Sequence, residues 1–174
     1  MSRCLAALII SAISLHASAA GLTFTAPPEW KAVATSSSMR VGQFSLPRSG
    51  GDAADGELVV YYFGGSGGTV EANIQRWIDQ MKQPDGKPSS AVAKRETRTV
   101  NGLKVTLVDV SGTYVAEMSP GSGQLHNSPG FRLRAAVIET SNGPYFVKLT
   151  GPAKTLAAAE QQYDKFISSI KFQP

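Results

Sequence analysis

The stretch Arg132-Leu133-Arg134-Ala135-Ala136-Val137-Ile138-Glu139-Thr140-Ser141-Asn142-Gly143-Pro144-Tyr145-Phe146-Val147-Lys148-Leu149-Thr150-Gly151-Pro152 decides the fold. It holds two apolar runs of strand length, and the Asn142-Gly143 pair between them is a tight-turn signal, so the two are expected to pair as antiparallel neighbours. Directly after, Leu156, Ala159, Tyr163, Phe166, Ile167 and Ile170 recur at helical spacing, with Pro152 suited to a first turn and Thr155 to a cap. Strand, strand and amphipathic helix without spacers form a unit that buries one helix on one sheet face.

Working outward, the same grammar repeats. Leu22 to Ala26 reads as a short strand stopped by Pro27-Pro28, and Trp30 is expected on the core. Residues 39–46 alternate, with an irregularity expected at Gly42, and the run Leu58-Val59-Val60-Tyr61-Tyr62-Phe63 follows a turn-rich segment, so the two form a loose hairpin. Gly64-Gly65-Ser66-Gly67-Gly68 leads to Thr69, an N-cap, and a helix over 70–82 whose Val70, Ile74, Trp77, Ile78 and Met81 share one stripe. Residues 94–100 and 103–110 flank Asn101-Gly102, the strongest two-residue hairpin signal, and 111–115 can extend the second arm. Lys94, Arg95, Glu96 and Arg98 make the first arm an edge strand. The insert 117–130, with Pro120, Gly121, Gly123, Asn127, Pro129 and Gly130, reads as one long irregular loop. Only the connection through the first helix allows a parallel pair. The fold class is therefore α+β, a largely antiparallel β-sheet flanked by helices.

Residues 1–19 are a different kind of sequence. Arg3, an apolar run from Leu5 to Leu15 and the small-residue ending Ala17-Ser18-Ala19 have the layout of a secretory signal peptide, with cleavage expected near Ala19-Ala20. The division is a signal peptide over 1–19 and a single domain over 20–174. The product is exported, periplasmic or secreted, and no transmembrane segment remains after cleavage. Cys4, the one cysteine, leaves with the leader, which removes disulfides, thiolate metal sites and cysteine nucleophiles from the mature chain. Losing Arg3 takes the formal charge from +4 to +3, which with no Lys/Arg run implies no nucleic-acid partner.

Chemistry-bearing residues are few. Ser66 sits in a G-x-S-x-G pattern between a strand and a helix, and Asp109 and His126 follow in the order of a hydrolase triad, so a serine hydrolase is one alternative. Against it, the helix starts at Thr69 rather than directly after Ser66, and a hairpin-built sheet is the wrong context. The same glycines could cradle a small anion, although Glu71 would repel it. His126 with Glu117 falls short of a metal site, and no cofactor is expected. Arg132, Arg134 and Lys148, on strands expected to be neighbours, could form a cationic strip for an anionic partner.

The runs Asn73-Ile74-Gln75-Arg76-Trp77-Ile78 with Gln83-Pro84-Asp85-Gly86, then Val108-Asp109-Val110-Ser111-Gly112-Thr113-Tyr114, then Phe146-Val147-Lys148-Leu149-Thr150-Gly151-Pro152 with Thr155, resemble a family of exported bacterial proteins of unknown function with a Mog1/PsbP-like α/β/α sandwich. The resemblance covers nearly all of the mature chain. It implies that fold, while the small-GTPase and photosystem II roles of better-known relatives have no matching residues here. The expected function is a non-catalytic binding or accessory module, meeting an envelope protein or an anionic envelope component through the 117–130 loop and a nearby sheet edge. A hydrolase at Ser66 and a small anion- or metal-binding protein are the alternatives.

Overall fold

The computed structural model describes residues 16–19, 21–35, 37–119 and 121–174, with 16–19 as backbone alone. Residues 1–15, most of the expected signal peptide, lie outside the described residues. The strands run β1 His16–Ala19, β2 Leu22–Thr25, β3 Lys31–Ala32, β4 Arg40–Leu46, β5 Gly56–Tyr62, β6 Met81–Lys82, β7 Lys94–Val100, β8 Leu103–Tyr114, β9 Ser128–Glu139, β10 Tyr145–Pro152 and β11 Lys171–Phe172. The helices are α1 Val70–Asp79, α2 Ala153–Ala158 and α3 Glu160–Ser169.

An 8-stranded sheet has the order β3-β4-β5-β10-β9-β8-β6, with β7 also pairing β8, and a 3-stranded sheet has the order β1-β2-β11. Among the described residues every strand pairing is antiparallel, including β5 with β10, so the connection through α1 creates no parallel pair there. The fold is α+β, as the hairpin-rich sequence implies.

Because side chains alternate across a strand, each strand serves both layers. One face carries Leu58, Val60, Val105, Leu107, Ala136, Ile138, Tyr145, Val147 and Leu149, and it packs under Tyr163, Phe166, Ile167 and Ile170 of the C-terminal helical segment. The small sheet adds Leu22 and Phe24 to this layer, and buried Trp30 donates from Nε1 to Gln162 Oε1 at 2.8 Å. The other face carries Val108, Val110, Leu133, Ala135, Val137 and Phe146 under Ile74, Trp77 and Ile78 of α1. Helices thus cover both faces.

Several local expectations are corrected. The helix expected over 70–82 ends at Asp79, because Met81 and Lys82 leave it to pair with Tyr114 and Thr113. Thr69 caps it as expected, its Oγ1 accepting from the Ala72 amide at 3.2 Å. The C-terminal stripe is two helices that meet at Ala159. Thr155 lies inside the first rather than capping it: Asp52 reaches across from the 47–55 loop and accepts from the Thr155 amide and hydroxyl, both at 2.8 Å. The strand irregularity falls between Arg40 and Gly42. Asn101 (φ 47°) and Gly102 (φ 83°) make the expected tight turn. The Asn142-Gly143 turn is wider than two residues, since Tyr145 pairs with Ile138 and the Thr140 hydroxyl donates across it to the Gly143 carbonyl. The 117–130 insert is not wholly irregular. Glu117 bridges Leu125, the His126 amide donates to the Ala116 carbonyl at 2.8 Å, and β9 already begins at Ser128.

Candidate functional site

α1 is only ten residues long and covers the β8, β9 and β10 part of its face. Beyond its C-terminal end the sheet is open. There Arg40, Glu57, Val59 and Tyr61 of β4 and β5 and Lys148 and Thr150 of β10 form the floor of a groove of about 380 Å³. Gln80 closes one side, and Tyr114, Glu117, Met118 and His126 bring the insert hairpin against another.

Alternation along β10 explains the central residue. Phe146 lies under α1, edge-on to Trp77 at 6.1 Å, and Lys148 is the next residue on that face, where the helical cover stops. Lys148 Nζ donates to Gln80 Oε1 at 2.6 Å and to the Tyr114 hydroxyl at 2.9 Å, and it lies 5.0 Å from the Tyr114 ring centre. Burial pushes its pKa down to about 8, with Glu57 acting upward and Arg40 further downward. Burial also raises Tyr114 to about 12, helped by Tyr61 and Glu57, so that hydroxyl keeps its proton at neutral pH. Tyr61 is raised by burial and lies under the Arg40 guanidinium at 5.7 Å. Arg40 in turn donates to Gln43 at 3.0 Å, and Gln43 donates to Glu57 at 2.7 Å. An ammonium has three N–H donors and Lys148 uses two on the protein, so one is left for a guest. Two cations and two phenols share this groove with the carboxylates of Glu57, which accepts from Gln43, and Glu117, which accepts from the Gly121 amide, and the remaining ammonium donor suits an anionic or carbonyl-bearing group.

The residues marked in the sequence are scattered. His126 is at this groove, its ring 5.2 Å from that of Tyr114. Asp109 is on the opposite face of the sheet: Lys148 pairs with Ala135 and Ala135 with Val108, so Asp109, one residue on, points the other way. Ser66 is exposed in the loop before α1, beside a different hollow lined by Met39, Tyr62 and Phe63. The serine, aspartate and histidine are not brought together. Gly64, Gly65 and Gly68 have positive φ, and Asn73 Nδ2 donates to the Gly67 and Thr69 carbonyls at 2.7 and 2.9 Å, which ties this loop to the helix.

The expected strip of Arg132, Arg134 and Lys148 is split by register. Arg132 and Arg134 share the α3 face, whereas Lys148 takes the α1 face. Both arginines are also engaged. Arg132 grips Asp109 with Nε at 2.8 Å and with Nη2, and that hydrogen bond raises its pKa further. Arg134 reaches Asp164 at 3.1 Å and Asp109 at 3.6 Å. Sequence reading missed Arg40, Tyr61, Gln80 and Tyr114 as groove residues. A lone lysine at an inward position of an apolar strand was the available signal for Lys148, but the other four meet it only through tertiary structure. Among the described residues no three His, Cys, Asp or Glu side chains cluster so as to hold a metal.

No family model and no curated protein matches the chain. Solved structures do. PA94 of Pseudomonas aeruginosa, a protein of unknown function, is similar at TM-score 0.53 and 16% identity, over 92% of this chain and 98% of that one. The cyanobacterial PsbP, CyanoP, of Synechocystis is similar at TM-score 0.53 and 12% identity, over 97% and 99%. LpqN of Mycobacterium tuberculosis, described as involved in cell envelope biogenesis, is similar at TM-score 0.53 and 9% identity, over 88% and 83%. At these identities the likeness speaks to architecture, and the chain has the PsbP-like fold: an antiparallel sheet between helical layers.

Proposed function

We propose that this chain is an exported, non-catalytic binding or accessory module of the cell envelope that takes an anionic group of its partner into the Lys148 groove. The observation that carries the reading is Lys148 itself, a half-buried ammonium with an unspent donor on the floor of an open groove. The insert hairpin forms one wall, so the loop that the sequence marks for partner contact and the cation act together. A partner is an envelope protein or an anionic envelope component. Support comes from the leader-like segment and from a structural neighbour described as involved in cell envelope biogenesis.

Pull-down from envelope extract with wild type, Lys148→Gln and a chain with 117–125 replaced by a short Gly-Ser turn tests this. Wild type recovers a partner that both variants lose; recovery of the same proteins by all three would sink the reading. Export has its own check. The full-length chain expressed in a bacterial host is expected in the periplasm or medium with its N-terminus near Ala20, and a cytoplasmic product beginning at Met1 would refute it.

The lysine also fixes a pH dependence. Its folded pKa, about 8, lies below the ordinary 10.5, so the unfolded chain holds more protons between these values and stability rises with pH across that window. The contribution is absent below about pH 8 and complete above 10.5, amounting to on the order of 1–3 kcal/mol for this part-buried group. Denaturant melts from pH 7 to 10.5 are expected to show that rise in wild type relative to Lys148→Met. Parallel curves would mean the amine is not desolvated. Capture of an anion runs the other way, weakening as pH rises above about 8.

A further inference from the structure

We propose that a cavity on the other side of the sheet, between β7 and α3, is a second binding site, for the monoanionic carboxylate of a small organic acid. β7 lies at the sheet edge, beyond the cover of α3. The overhang leaves a cavity of about 430 Å³ in which Arg98, Leu107, Arg134 and Tyr163 meet, with Lys94 and Glu96 along β7. Three donors there have no hydrogen-bond acceptor among the described residues: the Tyr163 hydroxyl, Arg98 Nε and Arg134 Nη1. Tyr163 is fully buried, and the Arg134 guanidinium lies 4.3 Å over its ring.

Such donors are seldom left without an acceptor, because a buried N–H or O–H that gives up water must recover the bond elsewhere. Here all three belong to residues that line one cavity, and two are N–H groups of separate guanidiniums, whose charge-assisted hydrogen bonds favour a carboxylate. The acids nearby set the charge of the guest. Asp109 and Asp164 line the same cavity and pair with Arg134 at 3.6 and 3.1 Å, and Glu160 stands 3.7 Å from its Nη1. They offset part of the positive potential and repel a dianion more than a monoanion. The site shares no lining residue with the Lys148 groove, which opens on the opposite face.

The test uses the full folded chain with 15N-labelled arginine at pH 7, following the Arg98 Nε–H and Arg134 Nε–H signals by NMR. Acetate and sulfate are titrated separately, with sodium chloride holding ionic strength constant. Acetate is expected to shift both signals saturably in the millimolar range. Tyr163→Phe, which keeps the ring under Arg134, and Arg98→Gln, read through Arg134, each weaken acetate by about tenfold. Lys148→Gln leaves acetate binding at this site unchanged, so failure at the other groove is distinguishable. A linear, unsaturable response overturns the proposal. So does sulfate binding as tightly as acetate, or acetate binding that neither Tyr163→Phe nor Arg98→Gln alters.

Discussion

Phe166→Ala is expected to lower the stability of the folded chain by about 3–5 kcal/mol, the range for emptying a buried aromatic position. Phe166 is fully buried on α3, and three rings lean on it: Phe24 at 5.0 Å, Trp30 at 5.5 Å and Phe44 at 6.4 Å. These come from β2, the loop after it and β4, so one side chain joins the small sheet, the N-terminal loop and the main sheet to the C-terminal helix. Truncation leaves a void that neither sheet can close, because both are held by their ladders. Urea unfolding followed by tryptophan fluorescence reads the effect directly, since Trp30 is itself a partner. A loss under about 1 kcal/mol would mean that the helix is not seated on this face as described.

Asp109→Ala is expected to cost about 2–4 kcal/mol, through charges left unanswered rather than through lost packing. The side chains of Arg132 and Arg134 are only 17% and 12% exposed, so neither guanidinium can recover its hydration when the carboxylate between them is removed. Glu160 and Asp164, about half exposed, remain as partial partners and keep the loss below that of a fully buried pair. Adding Arg132→Met should recover part of the loss, because an apolar side chain needs no counter-charge. Equal stability of Asp109→Ala and wild type in denaturant melts would show that the arginines are hydrated and the pairing is ornamental. The same experiment bears on the hydrolase alternative, since it gives Asp109 a structural role on the face away from His126.

Much of the architecture was legible because it depends on short-range rules. Thr69 capping α1, the Asn101-Gly102 turn and the apolar stripes of Ile74, Trp77 and Ile78 or Tyr163, Phe166 and Ile167 are all fixed within a few residues of chain. Where expectation failed, a distant partner had intervened. Met81 leaves a helix that its spacing favours because Tyr114 offers a strand edge, and Thr155 needs no capping role because Asp52 supplies an acceptor from far upstream. The candidate sites were harder still. Lys148 and Arg134 sit on adjacent strands, and a shift of one residue in the β9–β10 register would put both on the same face. Composition cannot choose between those registers. Likewise Tyr163 reads as one more stripe residue, and only its hydroxyl, left without an acceptor beneath an edge strand, distinguishes it.

The strand order has a consequence for synthesis. β10, among the last strands in sequence, lies between β5 and β9, so until it emerges from the ribosome the β3-β4-β5 and β6–β9 halves have no shared ladder. Closure of the main sheet must wait for roughly the last sixth of the chain, a non-local step of the kind that slows folding. A nascent polypeptide that stays open this long can still be threaded through a translocation channel.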